Sequence, residues 1–200
     1  MNGNPVNCFR NGRNHHSLRV RTLAVIRIYD EPSDLTFVFD DLVRFHGTKS
    51  ICGLTVSFKV MEAAWQELWT GAPPRREELS VASGFPGPGT RDGFEMVTRA
   101  VSRDAFRIIP DAKPTPLVSE AAKGAYFFQL SDNRQIIELG LKPGMLPDDF
   151  IRRRRAMARG EASFSDVTDF RKIQFGFSER LLSLAPKDAV NIIDVRPVSS

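Results

Sequence analysis

The sequence has few cysteines and no long apolar segment. Only Cys8 and Cys52 occur among the 200 residues, and they lie in very different contexts, so a disulfide framework is not expected. No apolar run approaches the roughly 18 residues of a membrane span. No apolar stretch with a small-residue cleavage site accompanies the N-terminal arginines. We therefore predict a cytoplasmic protein that is neither secreted nor inserted in a membrane.

Motifs of the common enzyme classes are also missing. The sequence contains no Walker loop, no Gly-x-Ser-x-Gly, no dinucleotide fingerprint after a strand and no Cys-x-x-Cys. A net charge of +4 permits contact with an anionic ligand or with nucleic acid but does not require either. Whether the chain is an enzyme is therefore left open by its motifs.

The order of the predicted elements indicates an α+β protein. Residues 1–17 are rich in Asn and Gly and are predicted to form a flexible leader, whereas residues 18–195 are predicted to form one domain. Within this domain, alternating apolar residues predict a strand over 18–28. Helices are expected to pack on a mixed or antiparallel sheet. Its other predicted strands cover residues 79–83, 105–109, 124–130 and 134–141, the last two joined as a hairpin.

Apolar spacing and helix-start signals together predict the helices. Between residues 39 and 45, apolar side chains recur every three positions and predict a short helix that ends with His46. A third helix is predicted to begin at Asp92, because Glu95 three residues later fits a capping box. A C-terminal helical pair is predicted over 147–185. The second helix is long and amphipathic, and its apolar stripe consists of Leu54, Phe58, Met61, Trp65 and Leu68.

His46 and Cys52 form the centre of the candidate site. They lie six residues apart, and each is followed by a glycine that lets the backbone turn tightly. Cys52 lies at the start of the long helix, where free N–H groups and the helix dipole favour the metal-binding thiolate. Asp92 is the natural third donor, because the glycine-rich loop before it would bring the third helix beside the first. We predict zinc or another transition metal bound by His46, Cys52 and Asp92.

The same stretch resembles a known protein family. The segments Phe45-His46-Gly47 and Cys52-Gly53-Leu54, followed by a helix, resemble the opening signature of the formylmethanofuran dehydrogenase E-subunit-like family. That signature has phenylalanine before His-Gly-His, and then Cys-Pro-Gly-Leu. In this chain Thr48 stands in place of the second histidine, and the proline after the cysteine is missing. The C-terminal portion is also similar, with a Gly-Glu-Ala-Ser turn between two helices.

The resemblance implies a metal- or small-ligand-binding accessory protein of one-carbon metabolism or of molybdenum and tungsten enzymes. It also implies a homo-oligomer, expected to be a dimer, and possible contacts with the subunits of a partner enzyme. If the protein is an enzyme, His46 and Asp92 would be metal ligands or an acid and a base. Cys52 would then be a ligand or a nucleophile.

A second interpretation is a metal-free binding or scaffold module of the same fold. In this case His46 caps a helix and Cys52 is a small buried apolar residue. The missing second histidine favours this interpretation, as does the absence of the cysteines that form the family's second cluster. Two ligands are also too few for a zinc site, so the metal interpretation depends on Asp92.

Four consecutive arginines at 152–155 form the other conspicuous cluster. Because four helical residues span about a full turn, these side chains cannot all face one surface. Ion pairs with Asp148 and Asp149 on a solvated face are the favoured interpretation. A basic helix that binds nucleic acid is the remaining alternative and is not expected. Four aromatic clusters are interpreted as core, with a pocket for a flat ligand as the alternative. They lie at residues 37–45, at Trp65 and Trp69, and at residues 126–128 and 170–177.

Overall fold

The structure is a computed structural model that describes residues 24–198, in which helices pack on a mixed β-sheet. The α+β prediction is confirmed. The strands are β1 (Ile26–Asp30), β2 (Ser33–Phe37), β3 (Ser80–Ser83), β4 (Phe106–Ile108), β5 (Phe127–Ser131), β6 (Gln135–Leu141) and β7 (Val190–Pro197). The helices are α1 (Phe39–His46), α2 (Ile51–Leu68), α3 (Pro88–Thr98), α4 (Phe150–Ala158), α5 (Phe164–Ser183) and α6 (Pro186–Ala189). Among the described residues, no helix has the length and apolar content needed to cross a membrane.

The larger sheet has five strands in the order β4-β3-β5-β6-β7. Strands β3 and β4 are parallel, and the other neighbours pair in antiparallel fashion. Each of the four strands predicted between residues 79 and 141 is present with slightly different ends. The predicted C-terminal helical pair is also present, as α4 and α5.

Three strands of the structure differ from the prediction. Of the strand predicted over 18–28, only residues 26–28 belong to β1. Residues 24–25 lie outside any strand, and residues 18–23 lie outside the described part of the chain. The predicted leader over 1–17 lies outside it as well. Two strands, β2 and β7, are not predicted by the pattern. Neither strand alternates strictly between buried and exposed residues. Strand β2 is mostly exposed, and β7 pairs with β6 through an irregular register.

Helix α2 is buried on all sides. Every residue from Ile51 to Trp65 is buried, including the charged Lys59 and Glu62. Helices α1, α3 and α5 and strands β6 and β7 all pack against it. The predicted amphipathic helix is therefore a central helix, since a helix covered by neighbours on every face has no solvated side.

Glycines allow α2 and α3 to approach closely at their N-terminal ends. A Cβ atom on Gly89 would lie 2.3 Å from the carbonyl oxygen of Ser50, and one on Gly53 would lie 2.7 Å from the amide nitrogen of Thr90. The two helices therefore begin side by side. The prediction that α3 begins at Asp92 is wrong, because the helix begins at Pro88, where the missing N–H costs nothing.

Replacement of Gly89 tests this close approach. We expect Gly89→Ala to lower the free energy of unfolding by about 1 to 3 kcal/mol, because the new methyl group meets fixed backbone. Gly176→Ala is the matched control, since Gly176 lies on an exposed part of α5 with nothing within 4 Å of the added atom. This control should gain about 1 kcal/mol from helix propensity. Urea unfolding of both variants measures the difference, and equal stabilities would contradict the close approach.

A buried ion pair joins successive turns of α2. Lys59 Nζ lies 2.8 Å from Glu62 Oε2 and donates a hydrogen bond of 2.7 Å to the carbonyl oxygen of Leu184, which follows α5. Burial raises the pKa of Glu62 above its ordinary value of 4.5, and the hydrogen bond and charge of Lys59 oppose this rise. The pair therefore compensates two charges that the central position of α2 removes from water.

Removal of Lys59 should destabilise the fold in a pH-dependent manner. We expect Lys59→Met to cost about 3 kcal/mol at pH 8, because Glu62 is left without its cation. Since the pKa of Glu62 is raised in the folded state, stability is lost as pH rises above 4.5, so the cost should be smaller at pH 5. Denaturant titrations at both pH values measure this. The double variant Lys59→Met/Glu62→Leu should recover most of the loss, and a pH-independent cost would contradict the assignment.

Candidate functional site

A cavity of about 630 Å³ lies where the N-terminal ends of α2 and α3 face the α4–α5 pair. The loop between α1 and α2 provides one part of its lining, and the segment before α3 provides another. Residues of α4 and α5 form the opposite wall. The cavity therefore depends on the side-by-side helix ends described above.

Aromatic side chains cover much of the cavity wall. The rings of Phe150 and Phe170 lie with their centroids 5.0 Å apart, and those of Phe85 and Tyr126 lie 4.8 Å apart. Met157 adds a further apolar surface. Most aromatic side chains of the predicted clusters are in the core, as expected, but Tyr126 and Phe170 also line the cavity.

Three cationic side chains lie at the same cavity. They are Lys49, Arg154 and Arg171. Arg171 donates a hydrogen bond of 2.8 Å to the hydroxyl of Thr48. Within residues 24–198, neither Lys49 nor Arg154 forms an ion pair, so their charges have no carboxylate partner there. The exposed ends of these side chains make the opening of an apolar cavity positively charged.

The arginine run of α4 divides between two surfaces. Arg152 pairs with Asp149 at 2.6 Å, and Arg155 pairs with Glu120 at 2.6 Å. Arg154 instead lines the cavity together with Phe150 and Met157. Because Phe150, Arg154 and Met157 are spaced at i, i+4 and i+7, they share one helix face. This spacing is visible in the sequence and could have identified Arg154. Val167, Arg171 and Gln174 of α5 have the same spacing, whereas Lys49 lies in a loop and follows no such pattern.

The structure brings together two of the three predicted metal ligands. His46 ends α1, and its Nδ1 lies 2.7 Å from Oδ2 of Asp92 in the second turn of α3. Their side chains are 11% and 27% exposed. A Cβ atom on Gly93 would lie in ordinary contact with Leu42 of α1 at 3.5 Å, so α1 and α3 are neighbours beside this pair. A carboxylate at this distance fixes the imidazole orientation and its protonated nitrogen.

Cys52 points towards α5 rather than completing this pair. Its thiol donates a hydrogen bond of 3.6 Å to the carbonyl oxygen of Gln174. Burial raises the pKa of Cys52 to about 12, and the Ser178 hydroxyl and the charge of Arg154 lower it to a smaller extent. The thiolate expected from the helix N-terminus is therefore not favoured, because desolvation outweighs the helix dipole.

The described donors do not make up a complete zinc ligand set. Zinc sites use at least three protein ligands. Within residues 24–198, no group of three or more His, Cys, Asp or Glu side chains is placed to hold a metal ion. Zinc binding by His46, Cys52 and Asp92 therefore stays a prediction, and the chemistry visible at this corner is that of a histidine–aspartate pair.

A scan against protein-family models finds no match to this chain, and a search of curated proteins finds no significant match. The function is therefore proposed from the geometry and charge of the cavity.

The rate of alkylation of Cys52 tests whether its thiol is protonated. In a Cys8→Ser variant, we expect iodoacetamide at pH 8 to modify folded Cys52 roughly a thousandfold more slowly than the same residue in denaturant, because the raised pKa leaves little thiolate. Mass spectrometry over time measures both rates. Rapid modification of the folded protein would show a thiolate, in agreement with the expectation from the helix N-terminus.

Proposed function

We propose that this protein binds a small organic anion with an apolar body in the cavity between α2, α3 and the α4–α5 pair. The observation that carries the proposal is an aromatic cavity with unpaired cationic side chains at its opening. This combination matches a ligand with an aromatic or aliphatic body and one carboxylate or similar group.

The size and lining of the cavity support a small molecule. A volume of about 630 Å³ lies within the usual range for ligand pockets. The tilted ring pairs Phe150–Phe170 and Phe85–Tyr126 offer flat surfaces against which an aromatic ring packs favourably. Gln174 and Ser50 are the uncharged polar side chains that add hydrogen-bonding groups to this lining.

The charge distribution supports an anion. The charge of Arg154 lowers the pKa of both Cys52 and Tyr126, which line the cavity. The electric field of Arg154 therefore acts inside the cavity. The adjoining N-terminal ends of α2 and α3 contribute positive helix dipoles to the same region. An ionised ligand would compensate charges that the described residues leave without a partner.

The proposal corresponds to the small-ligand role implied by the resemblance to the formylmethanofuran dehydrogenase E-subunit-like family. Membership of that family, a bound zinc ion, a dimer, contacts with a partner enzyme and a place in one-carbon or molybdenum and tungsten enzyme metabolism all stay predictions. A basic helix that binds nucleic acid is less well supported. Of its arginines, Arg152 and Arg155 already pair with carboxylates, and Arg154 lines the cavity.

Binding of a matched pair of probes tests the proposed function. Calorimetry should detect binding of 3-phenylpropanoate, whereas the neutral 3-phenylpropanamide should bind at least about tenfold more weakly. The Arg154→Gln variant should weaken binding of the acid by about tenfold, because a charge-assisted contact contributes about 1.5 kcal/mol or more. Binding of the amide should change little in this variant.

Arg152→Gln is the control, since Arg152 belongs to the same run but pairs with Asp149 outside the cavity. It should bind the acid as the parent does. Equal affinities for the acid and the amide would contradict an anion site. Equal losses in the two arginine variants would show a general charge effect instead of a contact in the cavity.

A further inference from the structure

Two groups at the cavity have no role in holding an anion. They are the His46–Asp92 pair and the hydroxyl of Tyr126. Both His46 and Tyr126 line the cavity that the proposed function assigns to the ligand. A proton acceptor and a proton donor therefore border the same space.

Asp92 determines which nitrogen of His46 accepts a proton. The carboxylate accepts the hydrogen bond from Nδ1 at 2.7 Å, so in the neutral ring Nε2 carries the free lone pair. The second oxygen of Asp92 accepts a hydrogen bond of 3.2 Å from Arg91, which helps to keep the carboxylate in place. Within residues 24–198, no side chain or backbone group occupies Nε2 of His46 with a hydrogen bond.

Tyr126 is a buried neutral donor. Only 3% of the residue is exposed, yet it lines the cavity, and its hydroxyl has no hydrogen-bond partner in the described part of the chain. Burial raises the pKa of Tyr126, with a smaller rise from Cys52, while the charge of Arg154 lowers it. The phenol therefore stays protonated at neutral pH and is able to donate a hydrogen bond to a ligand oxygen.

We propose that the cavity catalyses enolisation of an aromatic 2-oxo acid, with His46 as the base, Asp92 as its positioning residue and Tyr126 as the donor to the carbonyl oxygen. The inference rests on the proposed function, because the same cavity must first hold the carboxylate of this acid. The aromatic body suits the ring pairs of the wall, and the carboxylate suits Arg154.

The reaction requires no oxidant, reductant or second substrate. Nε2 of His46 takes a proton from the carbon next to the carbonyl group, and the electron pair of that C–H bond forms a carbon–carbon double bond. The carbonyl π electrons move to the oxygen, which accepts the hydrogen bond of Tyr126 as its negative charge develops. The protonated imidazole then returns its proton to this oxygen and gives the enol, or to the carbon and gives the starting ketone.

Another histidine chemistry is less well supported by the geometry. Ser50 also lines the cavity, and a serine hydrogen-bonded to a His–Asp pair would form a hydrolytic triad. In the described residues, however, no hydrogen bond joins Ser50 to His46. The His46–Asp92 pair therefore lacks the third member of such a triad, whereas a buried phenol at the same cavity is a suitable partner for an enolate oxygen.

Proton exchange on phenylpyruvate tests the inference. In D₂O, NMR should show the protein accelerating the loss of the C3 protons above the buffer rate. His46→Gln should lower this acceleration by at least about a hundredfold, the size of a general-base contribution. Asp92→Asn should lower kcat by at least about tenfold with little change in KM, because it orients the base without contacting the ligand. Tyr126→Phe should also lower kcat, whereas the Arg152→Gln control should match the parent.

Binding of 3-phenylpropanoate separates failure of this inference from failure of the proposed function. This acid lacks the carbonyl group, so its binding by the parent reports on the anion site alone, and urea unfolding shows whether His46→Gln and Asp92→Asn remain folded. Binding without accelerated exchange in the parent would overturn enolisation and leave the anion site standing. No binding in the parent would overturn both. Exchange that is lost with a chelator and restored by zinc would also overturn the inference, because a metal would then replace His46 as the acting group.

Discussion

The burial of α2 on every face is the constraint on which the rest of the structure depends. Along residues 51–65 of α2 every residue is buried, so Lys59 and Glu62 pair inside the protein. Glycines at the starts of α2 and α3 allow these two helices to approach closely. The same packing that forms the core therefore fixes where α2 and α3 begin, and the cavity lies at those ends.

The candidate site is a consequence of this packing. Because α1 and α3 meet beside Gly93, the last residue of α1 comes within hydrogen-bond distance of Asp92. On the inner faces of α4 and α5, Phe150 and Phe170 belong to the core and also border the cavity. Lys49 and Arg154 have exposed ends at its opening and no carboxylate partner within residues 24–198, so a bound anion would supply the missing opposite charge.

Much of the helical frame could be predicted from the sequence, and the site only in part. The spacing of apolar residues is sufficient to place α1, α2 and α5, because it reflects local geometry alone, and a helix-start signal at residues 147–149 indicates α4. The start of α3 was missed because a Pro-Gly-rich segment is typical of a loop, although proline is tolerated in a first helical turn. The metal interpretation expected a thiolate at Cys52, and only the second interpretation gave the small buried residue that the structure has. Its position at a helix N-terminus is visible in the sequence, but its desolvation depends on α5, more than a hundred residues later.

The roles of His46 and Cys52 depend on how each is solvated. For Cys52 to ligate a metal, the thiol must lose its proton at a buried position and turn away from the Gln174 carbonyl, and burial opposes the first step. His46 is instead held by the hydrogen bond between its Nδ1 and Asp92, which orients the imidazole ring. The family signature that this chain resembles contains both His46 and Cys52, but the two residues need not act together. The packing around α2 leaves Cys52 as a buried, protonated thiol against α5, whereas the imidazole of His46, held by Asp92, borders the cavity.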